Sequence, residues 1–267
     1  MSDNALIPVT IAVLLLLSAA VGAWLQSLLP DHHRTRDTTE AVRMTAGMLV
    51  TFSAVVLGLL TSAASAAFSD VDGQLRAYSA VLIQLNRELR EYGGEAETMR
   101  QALRRYTEAA IADTWKAETP PPGDDYPRHL TPSRPGGLDS EQLARMLQEI
   151  ELSLLRLEPA DTFHQRLAAE GVATMERLLD LRWRLIESAQ RGLSVPFMAT
   201  LALWLAVVFA CLGLTSPRNA LSYAVTTCGA LVLASAVFVL LEFNQPFTGF
   251  ITVSSAPFRD ALAHMDR

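Results

Sequence analysis

The sequence predicts an all-α integral membrane protein: four transmembrane helices in two pairs, with a long helical extramembrane bundle between spans two and three. Two observations carry this. The chain has 267 residues with 22 basic and 28 acidic side chains, yet four stretches contain no Asp, Glu, Lys, Arg or His: Asn4–Pro30, Met44–Ser69, Gly192–Pro217 and Asn219–Leu241. At the overall charged fraction of 19% those stretches would hold about 19 charges, so the segregation is a designed feature of the chain. Each is long enough to cross a hydrocarbon core about 30 Å thick at 1.5 Å per helical residue. In lipid the backbone must satisfy its own hydrogen bonds, which makes these segments helices. The second observation is a set of apolar stripes at helical spacing in the polar region between the pairs.

Taken in order, span one lies within Asn4–Pro30. Val21-Gly22-Ala23 resembles a signal cleavage site, but Met1–Asn4 has no Lys or Arg and the apolar run continues to Leu29, so the span is expected to be retained. The following loop holds His32 and His33 beside Asp31 and Asp37. Adjacent histidines cannot share a helix face, and no metal site is expected there.

Span two has a distinctive face. Gly47, Thr51, Ala54, Gly58, Ser62, Ser65 and Ser69 recur at steps of three and four, while Met48, Phe52, Val55, Val56 and Leu59 fill the rest. Small faces let transmembrane helices approach closely, and hydroxyls can bond across them. The same face could instead line a pore, where hydroxyls replace part of an ion's hydration. Both readings stand at this point.

Beyond span two, Val71, Leu75, Tyr78, Leu82, Leu85, Leu89 and Tyr92 form a strict heptad seam. Gly93-Gly94 interrupts it, and Met99, Leu103, Tyr106 and Ala110 resume it, predicting one long helix to about Lys116, kinked or broken at the glycines. The seam serves either an intramolecular core or a contact between subunits. Residues 119–137 contain six prolines and are expected to form an irregular loop at the far tip of the domain. Asp139 offers an N-cap with Gln142 three residues on, and Leu143, Leu147, Ile150, Leu154 and Leu157 mark the next helix, ended by Pro159. Asp161 can cap another, with Leu167, Leu178, Leu181 and Leu185 facing inward. The whole reads as an antiparallel bundle on stalks continuous with the spans.

The expected division is therefore 1–69 (spans one and two), 70–191 (helical domain with its Pro-rich loop), 192–243 (spans three and four) and 244–267 (tail). Cys211 and Cys228 fall inside the last two spans and behave as small hydrophobes. Glu242 ends span four and is expected to be a solvated helix-end charge. In the tail, Pro246 stops the helix, Gly249 permits a tight turn, and Phe247, Phe250 and Phe258 suit a membrane interface. Phe258, Leu262 and Met265 form a short stripe that folds back on the spans or the stalk.

Function classes narrow by exclusion. A net charge of −6 with one lysine argues against nucleic-acid binding. No Ser-His-Asp order, P-loop, GxGxxG or HExxH pattern occurs, so no enzyme and no cofactor are expected. No ionisable group lies inside a span, which argues against proton-coupled transport and leaves passive conduction open.

Several segments together resemble the bacterial bestrophin-like domain family of four-span membrane proteins. They are Val56–Phe68, the Arg104-Arg105-Tyr106 stretch ending at Trp115, and the tail Glu242–Pro257, where Pro246, Phe247, Gly249, Ile251, Val253, Ser254 and Pro257 match the family's Pro-Phe-x-Gly, apolar, Val-Ser and Pro pattern. The resemblance implies a comparison with bestrophins, homo-oligomeric anion or cation channels with an axial pore. It carries over no calcium cluster and no aromatic gate residue. The resulting expectation is a homo-oligomer in the lipid bilayer of a bacterial inner membrane, conducting ions passively. The rival is a membrane-anchored signalling or scaffold protein whose helical domain binds a partner. Arg76, Arg182, Arg184, Arg191 and Arg259 on the domain side narrowly outnumber Arg34, Arg36, Arg43 and Arg218 opposite. The bestrophin resemblance tips the choice, placing the domain, the N-terminus and the tail in the cytoplasm.

Overall fold

A computed structural model of the chain describes residues 3–30, 35–123, 125–127, 138–190, 195–217 and 219–266. His32 and His33 fall outside the described residues. The described chain forms eight α-helices: α1 (Asp3–Leu28), α2 (Arg36–Tyr92), α3 (Glu97–Thr114), α4 (Glu141–Leu155), α5 (Thr162–Gln190), α6 (Val195–Thr215), α7 (Ala220–Phe243) and α8 (Ala256–Met265). Four of them, α1, α2, α6 and α7, are long and apolar enough to cross a membrane. The chain folds as two compact units, one of residues 1–66 and 192–244, the other of 67–191 and 245–267. The continuous 57-residue α2 contributes to both.

In the first unit α1 packs against α6 and α7. The core is built by Leu15, Leu201, Leu205, Phe209, Ala230 and Val237, with Val56, Leu57 and Leu60 of α2 partly buried against it. The contact between α1 and α6 is made by glycines. A methyl group on Gly22 would overlap the carbonyl of Ala210, and one on Gly213 would overlap the carbonyl of Ala19. The helices are antiparallel and touch backbone to backbone, as small residues permit in lipid. Asn219 caps α7, its side chain accepting from the Ser222 amide at 2.8 Å.

The second unit is an antiparallel helical bundle. Of the one long helix expected to about Lys116, kinked or broken at the glycines, the structure shows the break, and the second part ends at Thr114. At Gly93 the backbone takes φ 105°, a conformation open to glycine, and a single 3₁₀ turn at Gly94–Ala96 follows. The chain then reverses: Arg100 of α3 reaches back to Asn86 of α2 at 3.3 Å, and Tyr106 reaches Tyr78 at 2.6 Å. α5 also runs antiparallel to α2, with Gln84–Thr174 and Gln74–Ser188 bonded at 3.3 and 2.8 Å. The heptad seam from Val71 to Tyr92 is buried in the chain's own core, as are Met99, Leu103, Tyr106 and Ala110. The same core holds Leu143, Leu147, Ile150 and Leu154 of α4 and Leu167, Leu178 and Leu185 of α5. That settles the seam as an intramolecular one.

Reversal at Gly93 also relocates the Pro-rich segment. Its flanks lie at the end of the bundle where α5 finishes, opposite the Gly93 turn: Arg182 donates to the carbonyls of Leu138 (2.7 Å) and Ser140 (3.3 Å), and Gln190 to Asp139 (3.2 Å). Residues 124 and 128–137 of the segment fall outside the described residues. Its first part is also packed, since Tyr126 is buried and donates to the Pro121 carbonyl at 2.6 Å. Asp139, occupied by Gln190, does not cap α4. Ser140 does, accepting from the Gln142 amide at 3.3 Å. Asp161 caps α5 as expected, accepting from the His164 amide at 2.8 Å, a bond that holds its carboxyl below the usual carboxylate range.

Candidate functional site

Two places draw together the residues that the sequence singles out. The first is the membrane-spanning part of α2. Only 11% of its apolar stretch is buried, against 22%, 28% and 22% for α1, α6 and α7. Gly47, Thr51, Ala54, Gly58, Ser62, Ser65 and Ser69 are all exposed, and a methyl group on Gly47 or Gly58 would meet nothing within 4 Å. The small face is thus not used for packing within the chain. The opposite side of α2 does that work through Ala46, Ser53 and Ala64. Thr51 returns its hydroxyl to its own helix, donating to the Gly47 carbonyl at 3.0 Å.

Beside this face a groove of about 620 Å³ runs between α2, α6 and α7, lined among others by Ala54, Leu57, Gly58, Leu205, Val208 and Leu233. It is apolar except for Ser53 and Thr61. The Ser53 hydroxyl is buried with no hydrogen-bond partner among the described residues. Glu242, expected to be a solvated helix-end charge, is instead buried at 3% exposure in the last turn of α7.

The second place lies in the bundle unit, where the tail closes on α3. After Pro246 the chain turns through Gly249, at φ 129°, and the Val253 amide donates to the Pro246 carbonyl at 2.8 Å. Phe247 and Val253 are buried in the bundle core, and the Trp115 indole donates to the Val253 carbonyl at 2.7 Å. Trp115 meets Phe247 edge-on at 5.9 Å and Phe258 at 5.6 Å, and Phe258 stacks on Tyr78 at 5.6 Å. So Phe247 and Phe258 are core residues rather than interfacial ones, and of the three tail aromatics only Phe250 is exposed. Ser254 accepts from the Ala256 amide at 3.2 Å at the start of α8, while Ser255 donates to Glu118. Arg259 also bridges Glu118 (3.1 Å) and the Thr119 carbonyl (2.7 Å).

Behind this clasp, Tyr78 and Tyr106 share their hydrogen bond in full burial beside Arg182. Burial pushes both phenols up, with the guanidinium opposing it. Arg182 is itself buried and its contacts go to backbone carbonyls and tyrosine rather than to a carboxylate. Sequence reasoning named the stretch from Arg104 through Tyr106 to Trp115 and the tail as separate motifs. It missed that these residues form one cluster, and it counted Arg182 only as a domain-side charge for topology, although a cation on the inward row of α5 was the signal of its buried place. Among the described residues no group of His, Cys, Asp or Glu is arranged to hold a metal ion.

Fold and site together define a four-span, all-helical integral membrane protein with a clasped helical domain. The sequence model of the bestrophin-like domain matches residues 13–258, and the chain belongs to the bestrophin-like family. No curated protein sequence matches it. Its fold is similar to crystal structures of a bacterial bestrophin homologue from Klebsiella pneumoniae, solved as several point variants. One is 17% identical with a TM-score of 0.61, covering 96% of this chain and 97% of that one. Two others are 15% and 16% identical, with TM-scores of 0.62 and 0.60, each covering 99% of this chain and 97% and 98% of their own.

Proposed function

We propose that the chain assembles with copies of itself into a passive ion channel of the bacterial inner membrane, with α2 of each subunit lining the axis. The observation that carries this is the uncovered small and hydroxylated face of α2, Gly47 to Ser69. Lipid offers no partner to hydroxyls that are not returned to their own helix, so the serines of this face favour water or a neighbouring helix. The groove beside it, which Ala54 and Gly58 of that face help to line, supports a protein neighbour on the same flank. The bestrophin-like family and the likeness to bacterial bestrophin homologues support the same architecture. The four charge-free stretches of the sequence, with Glu242 only at the end of α7, favour passive conduction over coupled transport. In this reading the bundle, the N-terminus and the tail are cytoplasmic, the tail motif Pro246, Phe247, Gly249, Val253 and Ser254 serves as a clasp, and the protein catalyses no reaction.

The test is direct. Purified protein in detergent is weighed, then reconstituted into liposomes for flux under an ion gradient. An oligomer that passes ions supports the proposal, and a monomer refutes it. An intact oligomer that stays silent under every gradient favours the scaffold reading, for which the exposed Leu152, Leu155 and Phe163 on α4 and α5 would supply a docking patch.

A further inference from the structure

Large apolar side chains stand exposed at few places in the bundle unit. Of the five among its described residues, three fall within twelve residues of the α4–α5 hairpin: Leu152, Leu155 and Phe163. They are exposed at 43%, 60% and 61%. Leu152 and Leu155 stand one turn apart on α4, off its buried row of Leu147, Ile150 and Leu154. Phe163 lies in the first turn of α5, before the first buried position at Leu167. The hairpin closes without them, since Leu154 makes the contact with Gly171 of α5. A single exposed apolar side chain is ordinary, but a group of three on one hairpin marks a surface that meets a partner.

The patch lies at the Gly93 end of the bundle, where the Tyr92 ring meets His164 edge-on at 5.1 Å. Tyr92 ends α2, about 34 Å along that helix from Ser69 at 1.5 Å per residue. Lipid headgroups do not reach that far, so a membrane surface does not cover it. Its surroundings are acidic. On the hairpin Glu149, Glu151, Glu158 and Glu170 stand against Arg156 and Arg166, and Asp161 is engaged by the amide and ring of His164. Across the Gly93 turn, Glu91 and Glu97 each lie against an arginine, at 3.6 Å from Arg87 and 2.7 Å from Arg100, while Glu95 adds a further exposed carboxylate. The rim therefore carries an excess of negative charge.

We infer that this end of the bundle docks a basic amphipathic helix of another protein, with its apolar stripe on Leu152, Leu155 and Phe163 and its lysines or arginines over the glutamates. The backbone groups of α4 and α5 are spent inside their own helices, so pairing with an extended strand is closed here. A helix laid along side chains, anchored at steps of three and four, is the mode that remains. The leucines and the phenylalanine supply the anchor, and the acidic rim sets orientation and selects a cationic partner. The docking goes beyond conduction, because a channel subunit can hold such a partner at the end of its bundle just as a scaffold would.

The experiment titrates the full chain, in a nonionic detergent, into a fluorescently labelled helical peptide of leucine and lysine with the leucines on one face, and follows anisotropy. Saturable binding that weakens as salt is raised is expected. Leu155→Ser/Phe163→Ser should weaken it about tenfold, as loss of anchors does. Glu149→Gln/Glu158→Gln should weaken it less and flatten its salt dependence. The same peptide with glutamate in place of lysine should not bind. Each variant is first checked for wild-type mass in detergent. Equal affinity of wild type and Leu155→Ser/Phe163→Ser, which would assign the signal to the micelle, overturns the docking. So does equal binding of the two peptides, or no binding of the lysine peptide. Loss of wild-type mass in Leu155→Ser/Phe163→Ser overturns it as well and gives the patch to a contact between copies. No ion flux enters the readout, so the result stands apart from conduction.

Discussion

Trp115 and Val253, 138 positions apart, are joined by an indole N–H donating to a backbone carbonyl at 2.7 Å, with the indole itself buried at 4% exposure. This single bond ties the tail to the C-terminal end of α3. Around it the aromatic contacts to Phe247 and Phe258 close the clasp.

Replacing Trp115 with Phe retains much of the ring contact but leaves the Val253 carbonyl without its donor. That costs about 1–3 kcal/mol. Trp115→Ala adds a cavity and costs about 3–5 kcal/mol. Thermal unfolding should rank wild type above Phe above Ala, and limited proteolysis should release the tail first in the Ala variant. Equal melting temperatures for all three would show that the tail adds nothing to the bundle.

The reversal at Gly93 depends on a backbone conformation, φ 105° and ψ −159°, that side chains with a Cβ avoid. Gly93→Ala should cost about 1–3 kcal/mol. Gly94→Ala, at an ordinary φ and with nothing within 4 Å of an added methyl, should be near neutral. Denaturation midpoints of the two variants test this, and a reversed order would contradict the hairpin.

Asp113 is buried, and burial raises its carboxyl above the usual range even with the Lys116 ammonium 3.7 Å away. The folded state therefore holds this proton to a higher pH than the unfolded chain does. Stability falls as pH rises from the ordinary aspartate value through the folded one, and the loss is complete above the folded value. Asp113→Asn should raise the melting temperature at pH 7, and the gain should close below about pH 3.9. A gain that grows on acidification would reverse the sign of the argument.

Periodicity made the helices and their inward rows legible, because burying an apolar stripe is what selects the face of a helix. It could not tell a kink from a hairpin. Gly93-Gly94 interrupts a heptad equally in both, and only the partnering of Asn86 with Arg100 and Tyr78 with Tyr106 decides. That one ambiguity also hid which end of the bundle holds Leu138 and Ser140, the C-terminal flank of the Pro-rich segment. The clasp was visible as motif residues but not as a cluster, since Tyr106, Trp115 and Val253 meet through tertiary packing that no spacing encodes. The close glycine contact was sought on span two, where the stripe is longest. It lies instead between α1 and α6, where Gly22 and Gly213 each face a backbone carbonyl.

Those glycines divide into two groups with opposite expected behaviour. A side chain on Gly22 or Gly213 collides with backbone inside the same chain, so Gly22→Ala or Gly213→Ala should cost about 1–3 kcal/mol and lower the yield of folded protein whatever the assembly. At Gly58 an added side chain has open space within the chain. Gly58→Leu should leave the subunit folded, and any defect it causes must come from a neighbouring copy. If the face is a packing surface, Gly58→Leu breaks the oligomer. Ser62→Ala is then nearly silent, since transmembrane hydrogen bonds average about 0.6 kcal/mol. If the face lines the axis, Ser62→Trp keeps the oligomer mass while ion flux into liposomes falls. Native mass in detergent and liposome flux, measured on all three variants, separate the two. Wild-type mass and wild-type flux in both Gly58→Leu and Ser62→Trp would remove this face from assembly and conduction alike.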